Sequence, residues 1–182
     1  MENIYLFILI ALILLAFADL IVGVSNDAVN FLNSAIGSKV LSFKTLMIIA
    51  SIGVFVGCVY SSGMMEVARK GIFNPGEFLF NEIMIIFMAV MITDILILDL
   101  FNSWGLPTST TVSIVFELLG ASVAMALIKI GVDNGSFTDL ATYINTSKAT
   151  QIILGILLSV FVAFSIGAIV QWVSRLLLSY DF

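Results

Sequence analysis

The sequence is poor in charge. Asp, Glu, Lys and Arg make up 10% of its 182 residues, against about 25% in a soluble domain. Such a chain cannot cover its own surface with water-soluble groups. It contains no histidine, which removes the commonest metal ligand and the usual proton relay. Its one cysteine, Cys58, permits no internal disulfide. Lys and Arg total 7 against 12 acidic residues, with a net charge of −5. No basic run is present, so neither nucleic acid nor an anionic-lipid tether is indicated. What the chain has in abundance is apolar surface: 61% hydrophobic residues and a mean hydropathy of +1.20. These values predict a multi-pass protein of the cell membrane, with the lipid bilayer as its solvent.

A bilayer core needs about 20 apolar residues per helix. Five runs qualify: Ile4–Val22, Leu46–Met65, Ile83–Phe101, Val112–Ile128 and Ile152–Val173. The first carries Asp19, the third Asp94 and Asp99, and the fourth Glu117. Ala16-Phe17-Ala18 mimics a signal-peptide cleavage site, but Glu2 stands where a basic n-region belongs. The first run therefore reads as a span. Between spans, the Gly71-Ile72-Phe73-Asn74-Pro75-Gly76 stretch reads as a turn with Phe73 and Phe78 at the interface. Residues 129–151 are polar enough to lie outside the bilayer. No repeat or soluble domain is apparent, so the chain reads as a single transmembrane domain.

Residues 24–39, VSNDAVNFLNSAIGSK, fit none of the spans. Asn26, Asp27, Asn30, Asn33, Ser25 and Ser34 crowd the end of a membrane-length helix. Two short arms parting near Gly37 would make a re-entrant helical hairpin over about 26–41. Such a segment survives at depth only where protein or a water-filled cavity surrounds it. The plain alternative is a surface loop with Asp27 capping a short helix.

A second stretch, GLPTSTTVS at residues 105–113, favours the hairpin. Pro107 disfavours helix at Leu106, and Thr108, Ser109, Thr110 and Thr111 cluster where the next helix begins. Hydroxyls beside unpaired amide groups at a helix start suit an anion. Simple N-capping would need only one of the four. Half-helix N-termini facing an anion, beside carboxylates holding cations, are a recurring arrangement in secondary transporters.

Both stretches carry a family likeness. VSNDAVNFLNSAIGSK resembles the GANDVANAFGTSVGSK signature of the inorganic phosphate transporter (PiT) family, keeping Asn26, Asp27, Asn30, Gly37, Ser38 and Lys39. GLPTSTTVSIVF is similar to the family's GLPVSTTHSIVG segment, with Thr108 and Val112 as departures. ARKG at residues 68–71 also resembles a family segment. The likeness covers residues 20–120 well, and the last span only through its hydropathy. Two further departures stand out: Val54 replaces a membrane-embedded Glu, and Glu117 lies where the family tends to have a small residue. A carboxylate in a bilayer is costly and usually functional, so Glu117 is a candidate replacement for the missing charge.

The resemblance implies two homologous halves of inverted topology. This chain has one copy of each motif, matching the first, N-terminal repeat. Five spans plus a non-crossing hairpin give the odd number of crossings that inversion requires. The chain ends at Ser179-Tyr180-Asp181-Phe182, near the expected seam. Its partner would be a second half, in the same longer chain or as an inverted copy, and homo-oligomers remain open. With an outside N-terminus, Lys39, Lys44 and Arg175 face in and Arg69, Lys70, Lys129 and Lys148 face out. That bias is too even to orient the chain.

The implied activity is cation-coupled symport of inorganic phosphate. Phosphate beside Asp27 would be strongly repelled at low dielectric, so Na⁺ or H⁺ must accompany it. Asn26, Asp27 and Asn30 are the expected cation ligands, and the metal ligands if the ion is Na⁺. Ser109, Thr110 and Thr111 are the expected phosphate ligands, with Glu117, Asp94 and Ser34 as secondary candidates. No other cofactor and no enzymatic step are called for. Asp94 and Asp99 diverge around their helix, and no Ser–His pair or zinc motif exists. An ion or oxyanion channel, or a symporter of another oxyanion such as sulfate, is the alternative.

Overall fold

A computed structural model describes residues 2–61, 71–133 and 135–179. Among them, five helices are long and apolar enough to cross a membrane: α1 (Glu2–Gly37), α2 (Phe43–Tyr60), α3 (Phe80–Trp104), α4 (Thr110–Val132) and α6 (Thr146–Leu178). A short helix, α5 (Leu140–Tyr143), precedes the last. No strand occurs among the described residues beyond an isolated bridge between Phe73 and Ile144. The all-α membrane architecture is thus present, as lipid demands of any chain that must satisfy its backbone internally. The end of the second predicted span, residues 62–65, lies outside the described residues, as do residues 68–70 of the ARKG segment.

The first predicted span and the hairpin that was to follow it are not separate elements. α1 runs 36 residues without a break, through Asn26, Asp27 and Asn30 to Gly37. No proline or glycine interrupts residues 24–36, and isolated Ser, Asn and Asp only weaken a helix. The helix turns at Ser38 and at Lys39, which has a left-handed φ of 53°. α2 then starts at a Ser42 cap that accepts from the Thr45 amide. At about 1.5 Å per residue α1 is about 54 Å long, against a bilayer core of about 30 Å.

The chain divides into two compact units, Met1–Asn145 and Thr146–Phe182. The second is α6, a 33-residue apolar helix with Arg175 in its last turn. In the first unit α1 packs on α3 and α3 on α4. The buried stripe of α3 is Ile86, Val90, Asp94 and Leu98, at four-residue spacing. That of α4 is Val115, Leu118, Ser122, Ala126 and Ile130. Small Ser122 and Ala126 let the backbones approach, as is usual between helices in lipid. Asp94 therefore falls inside the core stripe.

At the N-terminal end of α3, the predicted turn region is a small plug. Phe73 and Phe78 were expected at the interface, yet both are buried, Phe73 to 1% exposure. Phe73 meets Phe78 edge-on at 5.6 Å, and Phe78 lies 5.5 Å from Tyr143. Backbone bonds from Asn74 N to Tyr143 O (2.8 Å) and from Asn145 N to Ile72 O (3.0 Å) tie the strip down. The polar 129–151 stretch is correspondingly shorter than expected, because α4 extends to Val132 and α6 starts at Thr146.

Lys129 closes this end. Its Nζ donates to Glu82 Oε2 at 3.0 Å and to the Glu77 carbonyl at 2.8 Å. It also sits 5.6 Å from the ring centres of Phe78 and Tyr143. The cation lies in the last turn of α4, where the helix dipole favours it. Lys129→Met keeps the stem and removes the charge-assisted bonds, so it should lower stability by about 1.5–3 kcal/mol. Thermal melting of the purified protein in detergent checks this, and an unchanged melt would contradict the assigned role.

Candidate functional site

The site forms where the C-terminal end of α3 and the start of α4 meet the side of α1. α3 ends at Gly105, whose φ of 67° is left-handed. The Gly105 amide donates to Asn102 O at 3.1 Å and the Leu106 amide to Phe101 O at 3.0 Å. This pair of bonds caps the last carbonyls of α3 and needs a residue tolerant of positive φ. Pro107 prevents the helix from resuming at once. Ser109 then caps α4, accepting from the Val112 amide at 3.4 Å. The local sequence thus produces a sharp reversal that points a fresh helix N-terminus toward α1.

The two motifs meet there. Asn30 Nδ2 donates to the Thr108 carbonyl at 2.8 Å, bridging 78 positions of sequence. The Thr110 hydroxyl donates to Asp27 at 3.3 Å from Oδ1 and 3.4 Å from Oδ2. Asn30 Nδ2 also reaches Asn26 Oδ1 at 3.2 Å, and Asn26 Nδ2 donates to Asn102 Oδ1 at 2.8 Å. Asn26 is buried to 3% exposure. Two adjacent sets of bonds thus tie α1 to the α3–α4 junction: Asn26 and Asn30 with Asn102 and Thr108, and Asp27 with Thr110.

Thr110 is committed to Asp27, and Ser109 spends one lone pair as the helix cap. Thr111 presents an exposed hydroxyl one position further on. Ser34 is exposed, and its carbonyl closes the final turn of α1 by accepting from the Ser38 amide at 3.0 Å. Asn102 is the residue that sequence reasoning missed. Its signal was an amide three residues before Gly105 at the end of an otherwise apolar span.

Beside the network lies an open pocket of about 340 Å³, lined by Thr108, Ser109, Ser113 and Glu117 with Ile97, Val112 and Phe116. Ser113 Oγ donates to Glu117 Oε1 at 2.7 Å. About two helical turns from the Asn–Asp network, Asp19 of α1 and Asp94 of α3 line a second cavity of about 150 Å³. Glu117 and Asp94, both secondary candidates, are thus brought near each other but not into the Asp27 network. No group of three or more His, Cys, Asp or Glu side chains among the described residues has metal-holding geometry.

The model of the phosphate transporter family matches residues 23–181 of the chain. Relatives named "putative phosphate permease" include one from Thermococcus kodakarensis, 28% identical over 137 residues, or 74% of this chain and 30% of that protein. One from Pyrococcus furiosus is 31% identical over 118 residues, covering 64% of this chain and 29% of its own length. One from Helicobacter pylori is 30% identical over 105 residues, covering 56% and 20%. The chain thus spans about three-tenths or less of these relatives. No solved structure matches it.

Proposed function

The chain belongs to the phosphate transporter family, and on that premise we propose that it supplies one half of a cation-coupled phosphate symporter. The observation that carries this reading is the junction of the two motifs, Thr110 on Asp27 and Asn30 on the Thr108 carbonyl. A carboxylate meant for cations and a helix start meant for anions are in direct contact.

Phosphate enters the pocket beside Ser109, with the first amides of α4 as further donors; Thr111, exposed at the same helix start, does not line that pocket and would reach the anion only from its rim. Asp27 stands next to it. Two unit charges of like sign 5 Å apart repel by about 3 kcal/mol at an effective dielectric of about 20. A cation on Asp27, completed by the side-chain oxygens of Asn26 and Asn30, removes that repulsion. Thr110 links the two half-sites, so loading one changes the other. Both Asn side chains are pinned by their bonds to Asn102 and Thr108, which fixes their oxygens in advance of binding.

A second half is needed to enclose such a site. The open pocket supports this, as does the length of α1, whose last turns outreach a single bilayer crossing.

Reconstitution of the complete assembly in vesicles tests the reading. Phosphate uptake should saturate, should depend on an inward Na⁺ or H⁺ gradient, and should resist excess sulfate. Uptake that neither saturates nor needs a cation gradient would identify a channel. Inhibition by sulfate at equal concentration would make the substrate a wider class of oxyanion.

A further inference from the structure

The polar network at Asp27 leaves three carboxylates unexplained. Asp19, Asp94 and Glu117 come from three different helices, and each lies about two turns from the network along its own helix. Asp19 of α1 and Asp94 of α3 line one cavity, and Glu117 of α4 adjoins Leu118, which lines it too. Asp94 is 2% exposed. Its Oδ1 faces no hydrogen-bond partner among the described residues, and the same holds for Asp19 Oδ1 and Glu117 Oε2. Asp19 and Asp94 line the cavity of about 150 Å³, whose other walls are apolar: Phe87, Val90, Met91, Ile114 and Leu118.

No cation compensates this cluster from the helices that build it. α1 and α3 contain no Lys or Arg, and α4 contains only Lys129. Lys129 is bonded to Glu82, 12 residues and so about 18 Å along the helix from Glu117. α2, which packs on α1, brings Lys44 only in its exposed first turn. Of the other acidic groups on these helices, Asp99 is exposed and Asp27 is held by Thr110. Among the described residues, the neutral donor in contact is Ser113, on Glu117.

Three ionised carboxylates cannot share such a place. An uncompensated charge at low dielectric is costly, and like charges in contact add to that cost. The trio lacks the convergence that a metal ion requires. A proton, which needs only two oxygens and no coordination shell, suits it.

We propose that Asp19, Asp94 and Glu117 form a proton-binding site within the membrane, which holds a second coupling ion beside the cation at Asp27. The proposal rests on the symport reading above. Glu117 makes the connection, because it lines the hydroxyl pocket while its neighbour Leu118 lines the cavity of Asp19 and Asp94. An ionised Glu117 repels phosphate from that pocket, whereas a protonated one does not. Phosphate therefore enters with the cluster loaded. On the far side, once phosphate has left, the proton passes from the carboxyl group to water.

Two measurements on the complete transporter test this. The first is infrared spectroscopy of the purified protein near neutral pH. The proposal expects the carbonyl band of a protonated carboxylic acid, sensitive to deuterium exchange and removed by Asp94→Asn combined with Glu117→Gln. Absence of the band in the wild type overturns the site, as does its persistence in the double variant. If the double variant does not fold, Glu117→Gln alone serves, since it should shift or weaken the same band and an unaltered band is equally contrary. The second is proton movement in vesicles on adding phosphate outside. Wild type should alkalinise the medium, while Glu117→Gln should bind phosphate but lose the accompanying proton movement. Proton movement per phosphate that is unchanged in Glu117→Gln overturns the coupling role. Wild-type vesicles that accumulate no phosphate would defeat the transport reading and the coupling with it. The proton site itself would then be decided by the infrared band.

Discussion

Asp27→Asn should abolish concentrative phosphate uptake in the complete assembly while leaving the protein inserted and folded. The substitution keeps the size of the side chain and an oxygen that can still accept from Thr110, whose hydroxyl now lies 3.3 Å from Oδ1. The loss is that of the charge. Removing one member of a desolvated ion pair costs about 3–5 kcal/mol, which corresponds to roughly 150- to 5,000-fold in cation affinity. A transporter that binds its cation so weakly cannot use the gradient. Phosphate equilibrating without accumulation, driven only by its own gradient, would fit this account. Cation-driven uptake at the wild-type rate would remove Asp27 from the site. The melting temperature of the variant provides the control, because a fold that depended on Asp27 would show its loss there.

Thr111→Val and Thr110→Val should separate the anion half of the site from its link to the cation half. Valine preserves the β-branched shape and deletes only the hydroxyl. The Thr111 hydroxyl is exposed at the start of α4. If it donates to phosphate, its loss removes a charge-assisted bond of about 1.5–3 kcal/mol and weakens phosphate affinity roughly 10- to 150-fold. Cation affinity measured without phosphate should stay as it was. The Thr110 hydroxyl instead donates to Asp27. Thr110→Val should therefore change cation affinity even without phosphate, and weaken the dependence of one ligand on the other. Ser109 already caps α4, so neither variant should lose the 0.5–2 kcal/mol that removal of a cap typically costs. Phosphate affinity that survives Thr111→Val would exclude that hydroxyl from the anion site. A fall in stability with binding intact would make these residues part of the helix end and nothing more.

The sequence alone determined the class of this protein and the residues worth examining. Run length and the scarcity of charge require a lipid-embedded chain, because no other solvent tolerates so much apolar surface. Five runs of spanning length became five helices for that reason, and only their ends differ. The Asn26-Asp27 and Ser109-Thr110-Thr111 stretches stood out because polar groups at the end of a membrane-length run are costly enough to need a purpose. Where α1 ends was not legible. Asn26, Asp27, Asn30 and Ser34 mark a change in polarity, and polarity was read as a break in the chain. Backbone hydrogen bonding does not respond to that change, so the helix continues to Gly37. Asn102 was likewise hidden, since its value lies in facing Asn26 across 76 positions. Tertiary structure also decided the fate of the acidic residues. Asp19, Asp94 and Glu117 are far apart in sequence, and only the register of α1 and α4 against α3 brings them together. Register is set by which small and large side chains interlock, Ser122 and Ala126 among them, and no local pattern in the chain records it.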